Sequence, residues 1–126
     1  MAKQIVPGVD TLFTYLVVDK QGNALSAIMA VLANGTRYVK TFGSNKWKLY
    51  GTCKTTVLLE EWIAAKRALF NSLPAWAKNV KSFPTLRTME CWSNDGVAMT
   101  VDGQRIEPDG VASNGAPSWL LVVGVI

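Results

Sequence analysis

The chain has 126 residues, of which 49% are hydrophobic and only 17% charged, and its formal net charge is +4. This length fits one domain, so we predict a single domain over residues 1–126, and the apolar composition excludes an intrinsically disordered chain. Histidine is absent, which excludes Ser-His-Asp and Cys-His catalysis and histidine metal ligands. We therefore expect no catalytic residues, no metal and no cofactor.

Compartment signals are weak in this sequence. No apolar run approaches the roughly 18 residues of a membrane span, and the opening "MAKQIVPG" lacks the apolar core of a signal peptide. We expect a soluble protein without membrane partners, located in a cytoplasm, or in a virion if it is viral. Cys53 and Cys91 have no metal-binding spacing and are expected to be reduced and buried, although a disulfide between them stays open.

The first half of the chain predicts four antiparallel strands. "VDTLFTYLVVD" (residues 9–19) is rich in β-branched and aromatic residues after a Pro-Gly turn. "ALSAIMAVLA" (24–33) has helix-forming residues, but turn signals bracket it closely, among them Asn34-Gly35, which suits a type I′ hairpin turn. Two more strands, at about 36–42 and 46–53, complete a predicted β-meander.

An amphipathic helix is predicted over about residues 56–73. Thr55 or Thr56 is expected to cap its beginning, and Glu60 and Glu61 suit the positive end of the helix dipole. Its apolar residues recur at steps of three and four: Leu58, Leu59, Trp62, Ile63, Ala65, Leu69, Phe70 and Leu73.

The remaining apolar segments are predicted as strands. They are "TLRTMECW" (85–92), "VAMTV" (97–101), "QRI" (104–106) and "SWLLVVGVI" (118–126), separated by turn sequences rich in Asp, Asn, Gly and Pro. The fold class is thus α+β, with antiparallel β-meanders and one main amphipathic helix packed on the sheet.

The segment "RYVKTFGSNKWKLYG" (37–51) is a candidate single-stranded RNA or DNA site. A three-residue loop at 43–45 would place six basic and aromatic side chains on one outer face, where rings stack bases and lysines hold phosphates. A four-residue loop at 43–46 would bury most of the rings. The first register places Val39, Thr41, Trp47 and Leu49 on the opposite, buried face, and it is favoured because it segregates the apolar residues better. Exposed lysines, however, also protect sheet edges. The candidate nucleic-acid-binding residues are Tyr38, Lys40, Phe42, Lys46, Lys48 and Tyr50.

The C-terminal "SWLLVVGVI" is a candidate for self-association. An apolar run without polar alternation fits a central strand buried on both faces, or an arm that packs into a neighbouring subunit. The candidate self-association residues are Trp119, Leu120, Leu121, Val122 and Val123.

These features lead us to expect a non-enzymatic, self-associating structural protein, of the kind found as a viral or phage particle component. Such a homo-oligomer could contact nucleic acid through the basic-aromatic hairpin. One alternative is a single-stranded nucleic-acid-binding module. Another is a small enzyme that works through carboxylates without histidine, because acidic residues far apart in sequence could converge in the fold.

Overall fold

The computed structural model describes residues 11–44 and 46–124, and it confirms the α+β class. Four antiparallel strands form one sheet in the order β1 (Thr11–Val18), β2 (Ala24–Leu32), β3 (Thr36–Thr41) and β4 (Lys48–Thr52). The predicted meander is therefore present, although residues 9 and 10 of its first strand lie outside the described residues. Asn34 supports the turn between β2 and β3, because its side-chain oxygen accepts a hydrogen bond from the Thr36 N–H at 3.2 Å.

Side chains alternate sides along each strand, so the sheet has two faces. Other parts of the chain cover both of them. One face, here called the α1 face, packs against helix α1 (Leu59–Ser72) through Phe13, Tyr15, Met29 and Val31. The opposite face packs against later segments of the chain. Its core residues include Leu16, Ile28, Ala30, Trp47, Trp76, Trp119 and Val122.

Helix α1 begins later than the sequence predicts. Leu58 occupies the N-cap position and no side chain caps the helix, so the capping role predicted for Thr55 or Thr56 is wrong. The helix ends at Ser72, and Leu73 is extended before Pro74, which disfavours a helical residue ahead of it. Of the predicted apolar face, Trp62, Ile63, Phe70 and Leu73 pack in the core between α1 and the sheet.

The predicted strand at 85–92 is wrong, because this segment forms helix α2 (Leu86–Asp95). The Thr85 side chain accepts a hydrogen bond from the Thr88 N–H at 3.1 Å, which satisfies one of the free donors of the first turn. Gly96 ends the helix in a left-handed conformation with φ of 72°. Two short strands follow, β5 (Ala98–Met99) and β6 (Arg105–Ile106), and they pair with each other.

The predicted C-terminal strand is also wrong where the structure describes this segment, whereas the predicted role of the segment in self-association stays a prediction. Within the described residues the segment forms the short helix α3 (Trp119–Val122), whose Ser118 side chain accepts a hydrogen bond from the Leu120 N–H. Leu120 is fully buried with Met89 and Ala98. The Ser26 hydroxyl donates a 2.7 Å hydrogen bond to the Val122 carbonyl, which attaches α3 to β2.

The two cysteines are unpaired, as expected, but neither is buried. Cys53 is half-buried after β4, and Cys91 is exposed on α2. Burial was therefore the wrong expectation for these thiols.

Candidate interaction surfaces

The β3–β4 hairpin combines two registers. Near its open end, Thr36 pairs with Thr52 and Arg37 with Gly51, as the three-residue loop requires. Beyond a β-bulge the pairing slips by one residue, so Tyr38 pairs with Leu49 and Val39 with Lys48. Neither of the two continuous registers considered from the sequence is right, because an extra residue in β4 reverses the faces along part of that strand.

The bulge divides the six candidate nucleic-acid residues between the two faces of the sheet. Tyr38 packs against the core opposite the α1 face, and Lys40 lies on the same side because it is two positions further along β3. Lys48 is paired with Val39 and so shares the α1 face. Tyr50, 58% exposed, lies at the bulge.

The other members of the hairpin also depart from the predicted faces. Phe42 packs beside the core of Met89, Ala98 and Leu120, whereas Lys46 is exposed. Trp47 is buried as expected, but Leu49 is 58% exposed although it was assigned to the buried face. The hairpin therefore does not present one continuous basic-aromatic surface.

Two of the candidate residues do come together in a groove beside α2. Lys40 and Phe42 line this depression of about 330 Å³ with Phe83, Pro84, Thr85 and Leu86. The rings of Phe42 and Phe83 are edge to face, with centroids 5.6 Å apart, and Phe83 contacts Trp119 in the same way at 5.7 Å. The groove combines aromatic surface, a lysine and the positive end of a helix, which suits an anionic ligand with a flat ring.

An exposed apolar stripe runs along one flank of α1. It consists of Leu58, Ala65 and Leu69, which are exposed, with the buried Trp62 along its inner side. Leu58 is 61% and Leu69 46% exposed. The spacing 58, 62, 65, 69 is that of a helix–helix seam. The sequence analysis did not identify this seam, because it assigned all four residues to the side of the helix that faces the sheet. We call Leu58, Trp62, Ala65 and Leu69 the α1 stripe.

Two cations stack on aromatic rings on the α1 face of the sheet and on α1. The Arg37 guanidinium carbon lies 4.9 Å from the ring centroid of Tyr50, and the Lys66 ammonium lies 5.7 Å from that of Trp62. Burial lowers the pKa of Lys66, and the positive charge of Arg37 lowers it further, while Cys53 acts weakly in the opposite direction. Sequence reasoning missed this pair, although Lys66 stands four residues from both Trp62 and Phe70 on the apolar side of the helix.

A polar network joins the turn after β5 to the loop before α3. The Asp102 carboxylate accepts hydrogen bonds from the Thr100 hydroxyl and from the amides of Gln104 and Asn114. Burial alone would raise the pKa of Asp102, but these hydrogen bonds outweigh it and the pKa lies below its ordinary value. The Ala116 N–H donates to the Asn114 side chain, so the network fixes the approach to α3.

Four of the five C-terminal candidate residues pack in the chain's own core. Trp119, Leu120 and Val122 are buried and Val123 is half-buried, whereas Leu121 is 37% exposed. Of the five, Leu121 is the one most available for contact with another copy.

Comparison with known proteins does not indicate a function for this chain. The chain matches no protein-family model, no curated protein and no solved structure. In residues 11–44 and 46–124, no group of three or more Cys, Asp or Glu is arranged to hold a metal ion. Across the same residues, no helix has the length and hydropathy needed to cross a membrane.

Proposed function

We propose that this protein is a non-enzymatic structural subunit that self-associates, of the kind that builds viral or phage particles. The observation that carries the proposal is the α1 stripe, because its two leucines, at the N-cap and in the body of α1, are 61% and 46% exposed while the other face of the helix already packs on the sheet. Exposed apolar side chains at the spacing of a helix–helix seam are typical of an association surface.

The occupant that fits the α1 stripe is the same stripe of a second copy. Antiparallel pairing of two α1 helices about a two-fold axis sets Leu58 of each copy against Leu69 of the other. The same pairing brings the small Ala65 of each copy to the part of α1 where Trp62 is already buried against its own sheet, so the two helices can approach closely. The stripe is therefore complementary to itself, as an isologous interface requires.

General character supports the particle role. The chain is small, lacks histidine and contains few charges for its apolar content. Strand β4, at the edge of the sheet, adds two exposed side chains with large apolar surfaces. They are Leu49 and Tyr50, each 58% exposed. Light scattering of the full chain at micromolar concentration tests the proposal: we expect a dimer or larger assembly, and a 13.7 kDa monomer at all concentrations would refute it.

Single-stranded nucleic-acid binding is a second candidate function, favoured by the groove that contains Lys40 and Phe42. Because Lys40 and Lys48 lie on opposite faces of the sheet, single variants distinguish the groove from the hairpin as a whole. We expect Lys40→Glu to weaken binding of a single-stranded oligonucleotide and Lys48→Glu to leave it nearly unchanged. Binding should also weaken steeply with salt, because lysine–phosphate contacts release condensed counterions. Equal effects of the two variants would contradict the groove.

A further inference from the structure

We propose that the groove beside α2 binds one nucleotide at a time, with the base on its aromatic side and the phosphate at Lys40. This inference rests on the second proposed function, because it specifies what the same groove holds. It adds that the unit recognised is a single unpaired nucleotide, either free or within a single strand, and that neighbouring nucleotides are not needed for binding. It does not depend on the α1 stripe.

The aromatic side of the groove is held in place by ring contacts. Phe83 contacts both Phe42 and Trp119 edge to face, with ring centroids 5.6 and 5.7 Å away. Trp119 is buried in the core, whereas Phe42 and Phe83 are half-buried and line the groove. These two rings therefore combine a fixed position with apolar surface that a flat base can cover.

Leu86 adds a further apolar contact to the groove. It is the first residue of α2 and is 61% exposed, although it lines the groove together with Phe83. The hydrogen bond from the Thr88 N–H to the Thr85 side chain fixes the beginning of this helix, and so the position of Leu86. A base in the groove would remove part of this leucine from water, which favours binding.

Lys40 gives the groove its charge. It is half-buried near the end of β3, and within the described residues no carboxylate forms an ion pair with it. None of the residues that line the groove is acidic, and the first turn of α2 also contains no acidic residue. A phosphate in the groove would therefore meet a positive charge without a competing carboxylate in the walls.

The size of the groove limits the ligand to about one nucleotide. Its volume of about 330 Å³ is near the lower end of the range for small-molecule pockets, roughly 300–1,000 Å³. A site for a longer strand needs a positively charged path that follows the backbone over several nucleotides. The bulge in β4 removes such a path from the hairpin, because Lys48 lies on the opposite face of the sheet from Lys40.

Titration of the full chain with adenosine monophosphate at low salt tests the site, and adenosine serves as the probe without a phosphate. We expect saturable binding of the nucleotide by calorimetry. Lys40→Gln should weaken binding of the nucleotide about tenfold and leave that of adenosine nearly unchanged, because only the nucleotide carries the charge that Lys40 binds. Phe83→Leu should weaken binding of both about tenfold, because both present the same base for stacking.

Lys54→Gln is the matched control. Lys54 is an exposed lysine that follows β4, at the opposite end of the β3–β4 hairpin from the groove. This variant should therefore change the binding of neither probe.

NMR of the bound nucleotide gives a readout that a structural role of the rings would not produce. Stacking on the aromatic side should shift the signals of the base protons upfield, and at saturation this shift should persist in Lys40→Gln and decrease in Phe42→Leu and Phe83→Leu. If a ring variant does not fold, the shift in the unmodified chain decides the question. No saturable binding of the nucleotide, no upfield shift, or equal weakening of both probes by Lys40→Gln would overturn the proposal.

A single-stranded oligonucleotide separates this inference from the function on which it rests. Competition between oligonucleotide and mononucleotide, with both weakened by Lys40→Gln, would support the inference and the second proposed function together. Binding of the mononucleotide alone would support the site with a free nucleotide as its ligand and would refute strand binding. Lys40-dependent binding of the oligonucleotide without binding of the mononucleotide would overturn the single-nucleotide site and leave strand binding in place.

Discussion

Removing the two exposed leucines of the α1 stripe should abolish self-association without unfolding the subunit. Leu58→Ser places a favoured residue at the N-cap of α1, and Leu69→Gln keeps a good helix former inside it. Complete burial of a leucine side chain contributes roughly 1.5–3 kcal/mol. Leu58 is 61% and Leu69 46% exposed, so the exposed parts correspond to about 1.6–3.2 kcal/mol per subunit. A two-fold dimer loses twice this amount, about 3–6 kcal/mol, which raises its dissociation constant roughly 10²- to 10⁴-fold.

Sedimentation equilibrium over a range of concentrations measures this change. The control is Leu86→Gln, because Leu86 is also 61% exposed but lies on α2, outside the α1 stripe. The double variant should sediment as a folded monomer while the control retains the dissociation constant of the unmodified chain. Unchanged association in the double variant, or an equal loss in the control, would refute the assignment of the interface to α1.

Three further substitutions test the fold. Asp102→Asn should lower the free energy of unfolding at neutral pH. Hydrogen bonds depress the pKa of Asp102 in the folded state. The contribution of the ionised carboxylate to stability is therefore complete above the unfolded pKa of about 3.9 and is lost as pH falls through the folded pKa. Urea unfolding at pH 7 and at a series of more acid pH values should therefore show a difference that shrinks as Asp102 becomes protonated in the folded state, and a difference independent of pH would contradict this role. Thr85→Ala should cost about 1 kcal/mol through the lost cap of α2, measured by urea unfolding against Thr85→Ser, which should be near neutral. Leu120→Ala should cost about 2–5 kcal/mol, because Leu120 is fully buried, and a loss below 1 kcal/mol would show that α3 packs loosely.

The sheet and α1 were predictable because local signals and tertiary packing agree there. Strands β1 and β2 carry long apolar runs, and Asn34-Gly35 supplies the turn that joins β2 to β3. The position of α1 follows from apolar steps of three and four. Its exact beginning does not, because the N-cap position is occupied by Leu58 instead of either nearby threonine.

The two later helices were misassigned because side-chain type was given more weight than capping. "TLRTMECW" contains residues that favour strands, yet Thr85 and Gly96 mark the two ends of a helix by hydrogen bonding and a left-handed turn. Helix α3 is a different case. Its four residues form one turn that begins at Ser118, and contacts with β2 and β5, distant in sequence, fix its position.

The details of the candidate sites depend on features that a pattern of alternating residues does not contain. One extra residue in β4 separates Lys40 from Lys48 across the sheet, and a bulge leaves no clear signature in a strand of five residues. Lys66 lies 29 positions after Arg37, so no local sequence pattern connects α1 with β3.

The expectation of self-association rested on the apolar composition of the chain. The assignment of the interface to the C-terminal segment rested on a different observation, the apolar run in that segment. The C-terminal run now accounts for part of the chain's own core, since Trp119, Leu120 and Val122 are buried within one copy. Removing this segment should therefore unfold the subunit instead of releasing folded monomers. The exposed leucines of the α1 stripe supply the apolar excess in another place, on a helix whose other side packs on the sheet. A helix of this kind gains stability from a second copy as well as providing its binding surface, so folding and assembly are coupled in the proposed function.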